Sequence, residues 1–564
     1  MQKQRIVVIG GVATGPKVAA RARRLDAEAE ITVVERGALV SYGNCGLPYY
    51  LSGLVSNLLE LRRTPAGLLR DEAYFWEQKR IRVLTGTLAT DIDRGRKKVA
   101  IANLATGETS TLPYDKLVLA TGAHPVLPPF AGLELKGVFT LNHPVDAEQM
   151  VTDIKTLGVK RVTIIGAGGI GLEAADALST RRLQVTMVER LPQVLPSVLD
   201  QDLATIFTRH LERQGVRILT GLRVLGLEGD ASGRVRRVVT ETGVEEADLV
   251  VVACGVRPNV ELARSAGLAL GETGAIAVDQ YLRTSDPDIH AGGDCVQNRH
   301  LISGQMVYVP LASTAARHGR VIGDNLAGHA VRFPGILGTT VLQAFDYNLG
   351  RTGLSEREAR GLGYQVMATL VSGSDSSHFH PWHGRLILKL VVEAESGRLL
   401  GAQAIGPSEV VKRLDVLATA LTLGATVDDL ASLDLGYAPP FSTPLDVVSQ
   451  AGHVVQNLRR GLAKGISPLA LKQKLADGAD VQVLDVRQPE EVRGRSIKDR
   501  RVTSIPLGNL RERLNELDRA REVITLCELG VRGYEAARIL TQEGFSSVRF
   551  LSGGLAAWPD DLEG

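Results

Sequence analysis

Cysteine is scarce in this chain: four among 564 residues, at 45, 254, 295 and 527, with no C-x-x-C pair. That excludes a disulfide-stapled scaffold and fits a reducing compartment. Aromatic residues make up only 4% of the sequence, no basic run is interleaved with them, and the formal net charge is +2. The electrostatic footprint of a nucleic-acid binder is therefore missing. No apolar run reaches the ~18 residues that a membrane span needs. The N-terminal "MQKQRIVVIGG" enters a strand at once and leaves no room for a signal peptide. None of the 11 histidines sits at a metal-ligand spacing, so no metal is expected. Together these absences predict a cytoplasmic chain that binds neither nucleic acid nor membrane.

What is abundant is glycine, 60 residues, and the length predicts roughly three or four domains. "RIVVIGGVATG" is a buried-strand run that turns through Gly10, Gly11 and Gly15, with Val12 at the middle glycine site, and continues as a helix. "ITVVER" follows and places Glu35 and Arg36 at a strand end. The unit suits a pyrophosphate on a helix N-terminus with Glu35 at the ribose hydroxyls. A second unit is cleaner: "KRVTIIGAGGIG" carries Gly166, Gly168 and Gly171, and Glu189 lies 23 residues after Gly166. Two dinucleotide turns in one chain predict electron flow between two dinucleotides, a flavin and a nicotinamide.

Two later stretches support this. "YDKLVLATGAHP" reads as a strand ending at Thr121 and Gly122; "DPDIHAGGDCV" places Asp294 after a strand and a glycine pair, suited to the ribityl chain. "VPLASTAARHGRVIG" reads as a helix whose first amides, near Ala312 and Ser313, stabilise negative charge on a flavin pyrimidine.

In this order the motifs resemble the pyridine nucleotide–disulfide oxidoreductases over about residues 5–455. Most members hold a C-x-x-x-x-C redox pair after the first glycine unit. Here "SYGNCGLPYYLSG" holds Cys45 alone, which resembles the branch of coenzyme A-disulfide reductases, NADH oxidases and NADH peroxidases. The resemblance implies FAD, NADH or NADPH, and coenzyme A as cofactors and substrates, with Gly255 among the cofactor contacts. It also implies that Cys45 is the redox partner of the flavin, its thiolate favoured by flavin, amides and a helix terminus.

"YAPP" supplies Tyr437, which matches a tyrosine that reaches the active cysteine from the other subunit of a homodimer. Where these reductases often carry a second tyrosine, "SSHFHPWHG" offers Phe379 and His380. For coenzyme A the resemblance points to Lys79. Lys17, Arg21, Arg23 and Arg24 line the first helix, with Arg21 and Arg24 on one face, and Ser41 and Asn44 flank the cysteine.

Residues 467–564 resemble a rhodanese domain. "VITLCELGVRG" places Cys527, Glu528, Gly530 and Arg532 in a loop that closes at a helix N-terminus, an anion nest suited to a thiolate or persulfide. Asp485, Arg487 and Trp558 agree in position, while "GRSIKDRRVTS" replaces the usual "GHIPGA"-like stretch. Glu528 adds a negative charge that disfavours dianionic donors such as thiosulfate.

The expected fold is α/β: two Rossmann-like FAD- and NAD(P)-binding domains, an α+β dimerisation domain and a rhodanese-like α/β domain. The boundaries read as 1–140 with 266–335 for FAD, 141–265 for NAD(P)H, 336–457 for dimerisation, 458–466 for a linker and 467–564 for the rhodanese domain. The expected activity is NAD(P)H-dependent reduction of sulfur–sulfur bonds in coenzyme A persulfide or polysulfide, inorganic polysulfide or coenzyme A disulfide, through Cys45. Two alternatives stand beside it: an NADH oxidase or peroxidase cycling through a Cys45 sulfenic acid, and a redox sensor or sulfur carrier.

Overall fold

The structure, a computed structural model, describes residues 3–562. It forms two compact units, one running to Arg190 and resuming over Leu222–Ile336, the other made of Leu191–Gly221 and everything from Leu337 on.

The first unit contains two parallel sheets. In one, Arg5–Ile9 is central, flanked by Glu30–Val34 and Lys116–Leu119, with Arg82–Leu84 and Ile289–Ala291 at the edges. Its residues alternate between two cores: Ile6 and Val8 join one apolar cluster, Val7 and Ile9 the other. A strand buried on both faces reads as a continuous β-branched run for this reason. The crossover helix Thr14–Leu25 packs on helix Ala312–Leu326. In the second sheet Gln184–Glu189, Arg161–Ile165, Leu249–Val252 and Val138–Phe139 run side by side, with helix Gly169–Thr180 as the crossover. Strand Lys116–Leu119 stops two residues short of the expected end at Thr121, because Gly122 turns the chain at φ +69°.

The second unit holds a five-stranded antiparallel sheet in the order Thr340–Ala344, Tyr347–Gly353, Leu399–Gly406, Arg385–Glu393, Val366–Ser374. Helices Val410–Thr422 and Val447–Arg459 pack against it. A parallel sheet follows, ordered Gly465–Ile466, Val548–Leu551, Glu522–Leu526, Val481–Asp485, Val502–Ser504. The expected linker 458–466 is structured. Helix Val447–Arg459 runs into it, Gly465–Ile466 pairs with Phe550–Leu551, and Leu458 and Ala463 pack on the last domain's core. Apolar side chains inside a nominal linker had a core to join. The last domain also touches the antiparallel sheet, where the Ser372 hydroxyl donates to the Gly553 carbonyl at 2.6 Å.

Candidate active sites

The two glycine turns are built alike. Gly10 and Gly166 have φ of +110° and +105°, and each amide donates at 2.8 Å to the end of the next strand, at the Val34 and Val188 carbonyls. A Cβ on Gly15 would lie 1.9 Å from the Gly10 carbonyl, and one on Gly171 2.2 Å from the Gly166 carbonyl. Helix and turn approach too closely for any side chain there. At the middle site a Cβ on Gly168 meets nothing, so the turn itself tolerates Val12. Glu35 accepts from the Gly11 amide and Glu189 from the Ala167 amide, at 2.7 and 2.8 Å.

The first turn opens into a cleft of about 1750 Å³. Of the expected cofactor residues, Gly10, Gly11, Glu35, Arg36, Thr121, Gly122, Gly255, Asp294 and Ala312 line it. So do Cys45 and the expected coenzyme A residues Arg21, Arg24, Ser41, Asn44 and Lys79. Gly15, Ser313, Gly166, Gly168, Gly171 and Glu189 are not on its wall. The cleft fits a dinucleotide such as FAD. Gly10 admits no Cβ, since one would lie 2.0 Å from the Ala120 carbonyl oxygen, and Asp294 is half-buried on the wall with its carboxyl pushed up by desolvation. A ribityl hydroxyl is a natural partner for that carboxyl.

Cys45 lies in a single 3₁₀ turn, Asn44–Gly46, ahead of the short helix Leu47–Ser52. The turn is tied down on both sides: Ser41 donates its amide to the Gly11 carbonyl, and Gly43 donates to the Leu61 carbonyl, both at 2.8 Å. Cys45 is exposed and free of any disulfide. Its expected low pKa is not produced by the chain's own groups. Partial burial, then the Glu173 and Asp294 carboxylates, push the thiol up. A helix of one and a half turns is outweighed by two acids and by desolvation.

Glu173 escaped the sequence reading. It follows Gly171 by two residues on helix Gly169–Thr180, and burial, then Asp176, push its carboxyl up to about 7. The sequence signal was an acid one turn into the helix that follows the second glycine turn. Tyr42 and His143 were also missed; they meet edge to face at 5.7 Å on the cleft wall.

The basic residues divide. Arg21 does not offer a free cation, because its guanidinium grips the buried Asp324, with Nε at 2.7 Å. Arg23 donates to the backbone carbonyls of Lys79, Ala27 and Ala29 and ties the helix to its neighbours. Lys17 and Arg24 are exposed on the cleft, and the Lys79 ammonium sits 5.4 Å over the Tyr74 ring. Ser41 is 8% exposed with φ +50°, so its main role here is the backbone bend rather than a free hydroxyl.

In the second unit Tyr437 is 49% exposed in the irregular stretch between helices Val427–Ala431 and Val447–Arg459. His380 caps a turn on Ser377, with its Nδ1 buried and unpartnered. Cys527 is buried at the end of strand Glu522–Leu526, and the Gly530 amide donates to its Sγ at 3.1 Å. Gly530 reaches that position at φ +101°. Arg532 interacts with the same sulfur while its guanidinium holds Glu491 at 2.6 and 2.7 Å. Arg487 and Asp485 form a fully buried pair at 2.8 Å beneath the loop. Glu528 is not the bare charge expected of it. Its carboxylate faces Arg385, Arg495 and Arg487.

Comparison with known proteins follows the same division. The profile of the pyridine nucleotide-disulphide oxidoreductases matches residues 4–319, that of their dimerisation domain 341–447, and that of the rhodanese-like domain 467–561. The chain is 36% identical over 446 residues to the NAD(P)H sulfur oxidoreductase (CoA-dependent) of Pyrococcus furiosus, covering 79% of this chain and 98% of that one. A solved NAD-dependent persulfide reductase from A. fulgidus is similar with a TM-score of 0.94 and 44% identity, covering 98% of this chain and all of that one. The reduced CoADR-RHD of Bacillus anthracis gives 0.92 and 34% identity, with both chains fully covered.

Proposed function

The chain belongs to the pyridine nucleotide-disulphide oxidoreductase family, and from that premise we propose that it is an NAD(P)H-dependent flavoenzyme that reduces sulfur–sulfur bonds. Coenzyme A persulfide, coenzyme A polysulfide and inorganic polysulfide are its favoured substrates, with coenzyme A disulfide a further one. The observation that carries the reading is the lone exposed Cys45 on the wall of a dinucleotide cleft that Lys17, Arg24 and Lys79 also line.

Gly10, Gly11, Glu35 and Asp294 would hold FAD, and the chemistry it would supply when bound is a two-electron link between NAD(P)H and the sulfur on Cys45. Cys45 attacks one sulfur of the substrate's sulfur–sulfur bond as a thiolate and becomes bonded to it as a mixed disulfide or persulfide. The old bond breaks, and its electron pair leaves on the other sulfur, as hydrosulfide, a shorter polysulfide or coenzyme A thiolate. Tyr437 of the other subunit donates a hydrogen bond to that leaving sulfur anion. Lys17, Arg24 and Lys79 hold the phosphates of coenzyme A, and Asn44 steers the pantetheine arm. Arg21, committed to Asp324, shapes the helix face. Cys527 carries sulfane sulfur, its anion held by the Gly530 amide and by Arg532. The working protein is a cytoplasmic homodimer.

The exposure of Cys45 also favours a second reading, an NADH oxidase or peroxidase in which the thiol passes through a sulfenic acid. Steady-state NADH consumption separates the two. Turnover with coenzyme A persulfide and polysulfide well above that with oxygen or peroxide supports reduction of sulfur; the reverse order overturns it.

A further inference from the structure

Glu528 follows Cys527 directly, and its surroundings give it a task of its own. Oε1 accepts from Arg385 at 2.7 Å and from Arg495 at 2.8 Å, and Oε2 lies 3.6 Å from the Arg487 guanidinium. The Glu528 side chain is 12% exposed, whereas those of Arg385 and Arg495 are 55% and 48% exposed. Arg487 is already neutralised by Asp485. Two solvent-facing guanidinium groups thus converge on one carboxylate beside the sulfur-bearing residue. One of them, Arg385, starts a strand of the antiparallel sheet rather than belonging to the loop's own domain. The main chain that carries the carboxylate is tied down, because the Cys527 and Glu528 carbonyls accept from the Leu555 and Ala556 amides, both at 2.9 Å.

We propose that Glu528 is a specificity-determining residue: an internal anion that fills the arginine site beside Cys527 and thereby excludes small dianionic sulfur donors, thiosulfate foremost. The proposal rests on the reading of Cys527 as a sulfur carrier. An oxyanion donor must set its oxygens on guanidinium groups while the thiolate approaches its outer sulfur. Here Glu528 already engages those donors, and its charge cancels part of the attraction they would offer a second anion. A persulfide on a long organic arm keeps its other charges outside the loop and escapes this exclusion.

In the step that is blocked, the Cys527 thiolate attacks the outer sulfur of thiosulfate. The sulfur–sulfur bond breaks, its electron pair leaves on sulfite, and Cys527 becomes a persulfide. Cyanide then takes that sulfur as thiocyanate and restores the thiolate.

The test measures thiosulfate-to-cyanide sulfur transfer by the full-length protein. Glu528→Gln, nearly isosteric, should lower the KM for thiosulfate by ~10-fold or more, the worth of one charge-assisted hydrogen bond, with kcat changed far less. Glu528→Ser should do the same with the side chain removed. Glu528→Asp should stay closed, and Arg385→Gln combined with Glu528→Gln should lose the gain. A Glu528→Gln protein no better than wild type, or a gain that survives Arg385→Gln, overturns the proposal. In parallel, mass spectrometry follows addition of one sulfur to Cys527 from glutathione persulfide. A wild-type protein that takes no sulfur from that donor refutes the reading of Cys527 itself. One that does, while thiosulfate is refused by every variant, refutes the internal-anion role alone.

Discussion

The Ala167 amide donates to the Glu189 carboxylate at 2.8 Å, so the acid that ends the second glycine unit is held against the turn that opens it. One carboxylate oxygen is thereby oriented, and the group stands where an adenosine ribose is read in a fold of this kind. A carboxylate accepts from two ribose hydroxyls and repels a 2′-phosphate. NADH is therefore expected to give the higher kcat/KM, and Glu189→Gln should narrow the ratio by ~10-fold or more. Arg190, next in the chain, is expected to soften the preference. A wild-type kcat/KM for NADPH equal to or above that for NADH would show that Glu189 does not read the ribose.

Replacing Cys45 with Ser should leave FAD bound and still reducible by NADH, and abolish reduction of persulfide and disulfide. No other described cysteine lines the cleft to substitute for it. Full polysulfide turnover by Cys45→Ser, with direct reaction at the flavin ruled out, would remove Cys45 from the mechanism.

Tyr437→Phe should lower kcat by ~10²-fold while KM changes little, because the lost group is a hydrogen-bond donor to a charge that forms only in the transition state. Its 49% exposure in the single chain leaves the phenol accessible to a second subunit. Mixed dimers of Cys45→Ser and Tyr437→Phe should regain one intact site. A mixed dimer without recovered activity contradicts the contribution across subunits.

Glu173 predicts a pH dependence. Unfolded, this carboxyl ionises near 4.5; folded, near about 7, because of burial and then Asp176. The folded chain holds the extra proton between these values, so stability falls as pH rises from 4.5 to about 7 and is flat above. Glu173→Gln should remove that fall and make the protein more stable than wild type at pH 8, by on the order of 2 kcal/mol, but not below pH ~4.5. The same change should speed alkylation of Cys45 above pH 7, where the Glu173 charge otherwise opposes thiolate formation. Thermal melts and iodoacetamide rates across this range check both; parallel curves for variant and wild type would show that Glu173 does not ionise as described.

Cys527→Ser should spare reduction of coenzyme A persulfide, a small soluble substrate that reaches Cys45 directly. It should slow NADH oxidation with bulky or protein-bound sulfur donors. Equal rates to wild type on both kinds would show that Cys527 is no relay, and equal loss on both would place it in the core chemistry.

What the sequence determined by itself is local. The two glycine turns follow from backbone geometry that only glycine satisfies at Gly10 and Gly15, Gly166 and Gly171, and the strands around them follow from β-branched runs. Cys45 and Cys527 could be singled out as candidates from the sequence, because the motifs around them resemble those of known families. Tertiary structure decided which charges are free. Arg21 and Arg24 look equivalent on a helix face, yet Arg21 is bound by Asp324, 303 residues away, while Arg24 faces the cleft. Glu528 read as a lone negative charge until Arg385, 143 residues upstream, closed on it. Glu173 was an ordinary helical acid until desolvation raised its pKa. Backbone conformation is set by neighbours in sequence, whereas charge state and pairing depend on distance and dielectric, and both of those exist only once the chain has folded.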